Sequence, residues 1–233
     1  MKQLIAMAIA AILLSSCGTY KQLPSTGYAP NSDTSITQSL FSDRSSTISE
    51  EGIQKILDGH YKLPQQLRVA IVKLDNPQSR NRDWWNDEAY LKNQQSYLDL
   101  FADKFKSSPR VTKTSIIPDL LVSKTPSFTN IREAAVRMQA DIVVVYAISS
   151  DIYARYKLFT KPDIKAFATT QLIVLDVRTG LVPFSTIVTK DVLSQKKKEE
   201  VDDAETRNRI QQEAVLLTIN DIGEKIKTFL DTP

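Results

Sequence analysis

A chain of 233 residues, 42% of them hydrophobic, is long enough to bury one sizeable core or two small ones. Its 30 basic and 27 acidic side chains are interspersed and leave a net charge of +3, so charge gives no case for nucleic acid as a partner. One cysteine rules out a disulfide within the chain, and one histidine with 6 glycines leaves little for a zinc site or a phosphate-cradling loop.

The chain opens with MKQLIAMAIAAILLSS: a cation at Lys2, an apolar run from Leu4 to Leu14, then Ser15 and Ser16. Residues 1–16 read as a secretory signal peptide, because the run is too short for a permanent membrane span and ends in small residues. Cleavage puts Cys17 at the new amino terminus. The residues LSSC resemble the bacterial lipobox, so Cys17 is the predicted lipid attachment site, carrying palmitate-like acyl chains. A catalytic thiol would need a base beside it in a folded core, which a polar terminal stretch does not offer. At about 0.8 kcal/mol per buried methylene, two or three acyl chains hold a protein firmly where one is marginal. Gly18 stands where an aspartate would favour the inner membrane, which points to the outer membrane, facing the periplasm. Residues 17–46 are rich in Ser, Thr, Pro and Gly and read as the lipidated terminus and a flexible tether, with a reach on the order of 30 Å.

Residues 47–233 are predicted to form a single periplasmic α/β domain. TISEEGIQKILDG starts as a helix with Thr47 and Glu50 as a capping pair, Ile53, Ile56 and Leu57 inward, and Gly59 as terminator. LRVAIVKL (67–74) is a β-branched run suited to a buried strand. A polar loop holding Trp84 and Trp85 leads to a helix with Tyr90, Tyr97, Leu98, Phe101 and Phe105 on one stripe. RVTKTSIIP is a second, weaker strand. TNIREAAVRMQA places Asn130 and Glu133 as a capping pair, with Ile131, Ala134, Ala135 and Met138 inward. DIVVVYAIS (141–149) is apolar enough to be buried on both faces. FATTQLIVLDVRTGLVPFSTIVTKD reads as two strands joined at Arg178-Thr179-Gly180, with Gly180 supplying a positive φ. Pro183 favours an edge for the second of them. A long helix with Val215, Ile219, Ile222, Ile226 and Phe229 inward closes the chain. This order implies an α/β (α+β) fold: a mixed sheet of about five strands with helices packed on it, parallel pairs early and antiparallel hairpins late.

From about Leu67 to the end the chain resembles the curli assembly and transport (CsgG-like) lipoproteins. The exported lipobox cysteine, RVAIVKLDN, ADIVVVYAISS and the LDVRTG turn carry the likeness. The resemblance implies a lipid-anchored periplasmic core, which in channel-forming members is joined by two amphipathic hairpins inserted in the outer membrane. The first corresponding stretch here, SSDIYARYKLFTKPDIKAFATTQ, has Ile152, Ala154, Tyr156 and Leu158 on one face but a weak return arm. The second, TKDVLSQKKKEEVDDAETRNR, is almost devoid of apolar residues and is costly to place in lipid. The chain therefore reads as a member without the transmembrane hairpins.

No constellation for catalysis is visible. His60, in LDGHYKLP, reads as a capping or loop histidine; no G-x-S-x-G elbow is present; the EE and DD pairs adjoin KKK as a solvated mixed-charge loop. The expectation is no enzyme, no metal and no cofactor, although carboxylate pairs brought together only in space leave no spacing rule to read. Candidate partner-binding residues are Trp84 and Trp85, adjacent aromatic anchors or cover for the neighbouring helix, and Tyr153 and Arg155 of the aromatic-basic stretch YARYKLFTKP. That stretch suits anionic lipid head groups, glycan or another subunit, or is a hairpin stiffened by cross-strand pairs. The expected function is that of a lipid-anchored envelope protein working through protein contacts in assembly, export or surface-structure biogenesis. Two alternatives stand beside it: an oligomeric secretion channel, and a periplasmic ligand-binding protein or hydrolase.

Overall fold

A computed structural model describes residues 20–22, 39–41, 48–74, 87–122, 126–157 and 160–232. Five strands lie in the order β3-β2-β4-β5-β6: β2 (Leu67–Lys73), β3 (Val111–Ile116), β4 (Ile142–Lys157), β5 (Thr160–Asp176) and β6 (Phe184–Ser194). A short strand β1 (Tyr20–Gln22) adds to the outer part of β4. The helices are α1 (Glu50–Leu57), α2 (Asp87–Lys106), α3 (Phe128–Arg137) and α4 (Asp203–Asp231). β2 pairs in parallel with β3 and β4, whereas β4, β5 and β6 form an antiparallel meander, as the order of the predicted elements implies.

Strand composition follows the number of covered faces. At β2 and the first half of β4, α2 and α4 lie on one face of the sheet and α3 on the other. Here Val69, Ala70, Ile71, Val72 and Ile142 to Tyr146 are all buried, which is why these segments are unbroken apolar runs. Beyond Tyr146 the α3 layer ends and β4 begins to alternate: Ile148, Ser150, Ile152 and Ala154 face the helix α4, and Ser149, Asp151 and Tyr153 face out. The helix is about 44 Å long, enough to follow these long strands. Its buried stripe includes Ile210, Ala214, Thr218, Ile219, Ile222 and Ile226.

Two buried polar contacts hold α4 to the meander. Thr218 Oγ1 donates to Val215 O (2.7 Å) and lies 2.6 Å from Thr170 Oγ1, and Gln211 Nε2 donates to Ser150 Oγ. The stretch corresponding to the first barrel hairpin of channel-forming members contributes to this core: Ile152 and Ala154 face the helix and its neighbours in one apolar cluster. The stretch corresponding to the second hairpin continues β6 to Ser194 and then leads into the N-cap of α4 at Asp202.

Several expectations are corrected. The N-cap of α1 is Ser49, whose hydroxyl accepts from Gly52 N (3.2 Å); Thr47 lies outside the described residues. The N-cap of α3 is Ser127, not Asn130, and Glu133 pairs with Arg137 along the helix. The apolar stripe of α1 is not buried: Leu57 is 73% exposed and Ile53 and Ile56 are each 38% exposed, because the sheet face it would need is already taken by α3. Within the stretch read as a tether, Tyr20–Gln22 joins the sheet, and Phe41 stacks on Phe128 (5.0 Å) while Leu40 O accepts from Phe128 N. Pro183 stands just before β6, which is the sheet's edge strand.

Candidate functional site

The end of the α3 layer leaves one face of the β4–β5–β6 meander with no helix over it among the described residues. Register places Tyr153 beside Lys165, Asp151 beside Phe167, Ser149 beside Thr169 and Ala147 beside Gln171, and on β6 Leu193, Asp191, Thr189 and Ile187 stand next in these four rows. Aromatic and ionic contacts tie the lower rows together. Tyr153 meets Phe167 edge to face (5.7 Å), Lys165 Nζ sits over that ring (4.6 Å), and Lys165 also pairs with Asp191 (3.0 Å). Tyr153 donates its phenol proton to Asp151 Oδ2 (2.8 Å), and that hydrogen bond, with the carboxylate charge, pushes its pKa up. At the β6 margin Ile187 and Leu193 are 66% and 65% exposed. The result is a flat face with a locked polar-aromatic centre and exposed aliphatic side chains on a strand with one free edge.

A concavity lies at the other end of the sheet, around the Arg178 turn. Asp176, buried at the end of β5, accepts from Thr179 N (2.7 Å), Thr179 Oγ1 (2.9 Å) and Tyr61 OH (3.1 Å). Gly180 takes φ +76° to close the loop, as its place in the sequence predicts. Arg132 of α3 clamps the same loop by donating to Val177 O and Arg178 O. Between this loop and α1 is a cleft of about 390 Å³ lined by Ile56, His60, Tyr61, Lys62, Arg178 and Leu181, among others. Burial, and then the Asp176 charge, push the Tyr61 phenol far above its usual range, so it stays a donor. Both oxygens of Asp176 are occupied by the turn and by Tyr61, which makes it a structural carboxylate. His60 lines this cleft, where the sequence reads a loop histidine. Nearby, Asp141 takes a bidentate pair from Arg68 (2.9 and 3.0 Å) and the Arg68 backbone N–H (2.9 Å), and Arg68 holds its carboxyl below the ordinary range.

Of the residues singled out from sequence, Tyr153 falls on the open face. Arg155 is two positions further along β4, paired in register with Tyr20 on one side and Asp163 on the other. Cys17, Trp84 and Trp85 lie outside the described residues. Lys165, Phe167, Ile187, Asp191 and Leu193 escaped sequence reading; the signal was in FSTIVTKDVLS, which places apolar residues on both faces of β6. Among the described residues, no group of three His, Cys, Asp or Glu side chains is placed to hold a metal, and no helix is long and apolar enough to cross a membrane.

No family model matches the chain, and neither does any curated protein. Solved structures give distant likenesses. A hypothetical protein of Chlamydia trachomatis is 15% identical over 71% of this chain and 98% of its own, with a TM-score of 0.41. A PelC dodecamer subunit from Paraburkholderia phytofirmans is 14% identical over 67% and 92%, TM-score 0.31. A lipoprotein of Neisseria meningitidis is 11% identical over 67% and 99%, TM-score 0.31. At these identities and scores nothing about function passes to this chain.

Proposed function

We propose that this is a lipid-anchored envelope protein, exported and held by Cys17 on the periplasmic side of the outer membrane, which acts by protein contacts and not by catalysis. The observation that carries the reading is the open face of the meander. A sheet buried on its α4 side presents, on the other, Ile187 and Leu193 at a free strand edge beside the Tyr153–Phe167–Lys165 cluster. Such a surface suits a partner that covers the aliphatic margin and adds hydrogen bonds along β6. The partner is another envelope component or a second copy of the chain, in assembly, export or surface-structure biogenesis. The lipobox and the curli-type sequence features support the same placement at the level of topology.

A photo-crosslinking residue placed at Ile187 or Leu193 in the membrane-anchored protein tests the contact. Discrete adducts from both positions, absent from a control at Lys113 in β3, are expected. Adducts equal at all three positions, or at Lys113 alone, refute the assignment of this face. Cys17→Ala tests the anchor separately: the protein should leave the membrane fraction and lose acyl label, and label retained in that variant refutes the anchor.

A further inference from the structure

We infer that the far end of the β4–β5 hairpin is a membrane-facing surface, held against an anionic leaflet by the lipidated terminus that β1 brings to it. This rests on the reading of Cys17 as the anchor and adds where on the fold the anchor pulls. β1 runs antiparallel to β4, with Gln22 opposite Tyr153 and Tyr20 opposite Arg155. Backward from Tyr20 the chain therefore heads for the end of the hairpin, where Lys157 pairs with Thr160. Cys17 is three residues upstream of Tyr20, a reach of about 10 Å. The last hairpin pair lies two residues beyond Arg155, about 7 Å along the strand, while the start of β4 at Ile142 is about 50 Å from Lys157. Acyl chains on Cys17 thus leave the protein beside the hairpin end and are unable to reach the opposite end of the sheet. A tether of thirty residues would impose no such choice.

The same end is basic. β1 and positions 152–163 hold Lys21, Arg155, Lys157 and Lys161 against a single acid, Asp163, which accepts from Gln195 Nε2 (2.6 Å). Tyr20 pairs with Arg155 and Tyr153 with Gln22 and Lys165 in the same stretch, and tyrosine is the residue type that suits a membrane–water boundary. Charge and connectivity select one occupant, a bilayer surface carrying anionic lipid, because it is the one surface the acyl chains bring to this place. Each basic residue near such a surface strengthens binding by about fivefold. Seated this way, the strands rise from the membrane, and the open face of the meander points sideways, toward neighbours on the same leaflet.

The test uses the mature chain carrying Cys17→Ser, mixed with vesicles of phosphatidylcholine with or without phosphatidylglycerol, so that no acyl chain contributes. Salt-sensitive binding confined to the phosphatidylglycerol vesicles is expected, and Arg155→Gln, Lys157→Gln and Lys161→Gln together should weaken it on the order of 100-fold. Equal binding to both vesicles, or an unchanged triple variant, overturns the inference. Should the triple variant lose its circular-dichroism signature, a fluorophore on Lys157→Cys or on Lys113→Cys in the lipidated protein decides instead. A head-group quencher should quench the first far more than the second, and equal quenching overturns the inference. Mass measurement of the amino-terminal peptide reads Cys17 acylation independently, so an unmodified Cys17 would remove the anchor while the vesicle result still judged the surface.

Discussion

The Thr170–Thr218 contact between β5 and α4 has a direction that mutation can read. Thr218 has one hydroxyl proton and gives it to Val215 O at 2.7 Å, so across the 2.6 Å contact Thr170 must be the donor. Both residues are 0% exposed. In Thr218→Val the Thr170 hydroxyl therefore keeps a buried proton with no acceptor, a loss of about 1–3 kcal/mol. In Thr170→Val the Thr218 hydroxyl still donates to Val215 O and loses only an incoming bond, about 0.5–1.5 kcal/mol. Replacing both by valine leaves no orphan on β5, so the double variant should be more stable than the sum of the singles predicts. For a chain of this size each kcal/mol moves the melting midpoint by about 2–4 °C. Thermal and urea unfolding of the four proteins would measure the cycle. Thr170→Val costing as much as Thr218→Val, or strictly additive losses, would refute the donor assignment.

Three further outcomes follow from other contacts. Asp141→Asn removes the carboxylate that joins β2 to the start of β4 through Arg68, and should cost about 2 kcal/mol in urea unfolding, solvent at the guanidinium moderating the loss. A loss below measurement would show the pair to be ornamental. Gly180→Ala places a Cβ at φ +76° and 3.3 Å from Phe128 Cζ, and should destabilise by about 1–2 kcal/mol; an unchanged midpoint would mean the loop adopts another turn. Glu200 is held at about 2, below its ordinary 4.5, by the Arg209 hydrogen bond and then by Lys197 N and the Thr206 hydroxyl. A depressed carboxyl contributes stability that is complete above pH 4.5 and fades as pH falls toward 2. Glu200→Gln should therefore flatten the pH dependence of stability in that window, and an unaltered slope would contradict the assignment.

The elements legible in sequence are those whose signal lies in their own residues. β2 and the first half of β4 are read from unbroken apolar runs, and the Gly180 loop from a residue that tolerates positive φ. What stayed hidden depends on a partner elsewhere. Nothing in YKQ announces a strand; β1 forms because β2 stops at Lys73 and leaves the outer edge of β4 open. The stripe Ile53, Ile56 and Leu57 looks like a core face, yet the layer opposite it is occupied. β5 continues through Pro162, although a proline removes a ladder donor. Here it coincides with the register shift between Arg155 and Lys157, where a ladder bond is expendable. The open face itself was half legible: Tyr153 on β4 was visible, but its neighbours sit on β5 and β6, and only register brings the three rows together.

The two halves of the sheet also differ in how far apart in the chain their partners lie. β4, β5 and β6 follow one another through short connections, whereas β2 meets β4 by bringing Val69 to Ile142. Closing that long loop loses entropy before any contact offsets it, and a free β4 edge must exist first. The meander with α4 is therefore the natural nucleus, although it is the last part of the chain to be synthesised. Until it appears, LRVAIVKL is an unpaired apolar strand, the segment of this chain most in need of protection from its own kind. Refolding rates sensitive to substitutions at Val144 or Leu172 and indifferent to those at Ile71 would display that order.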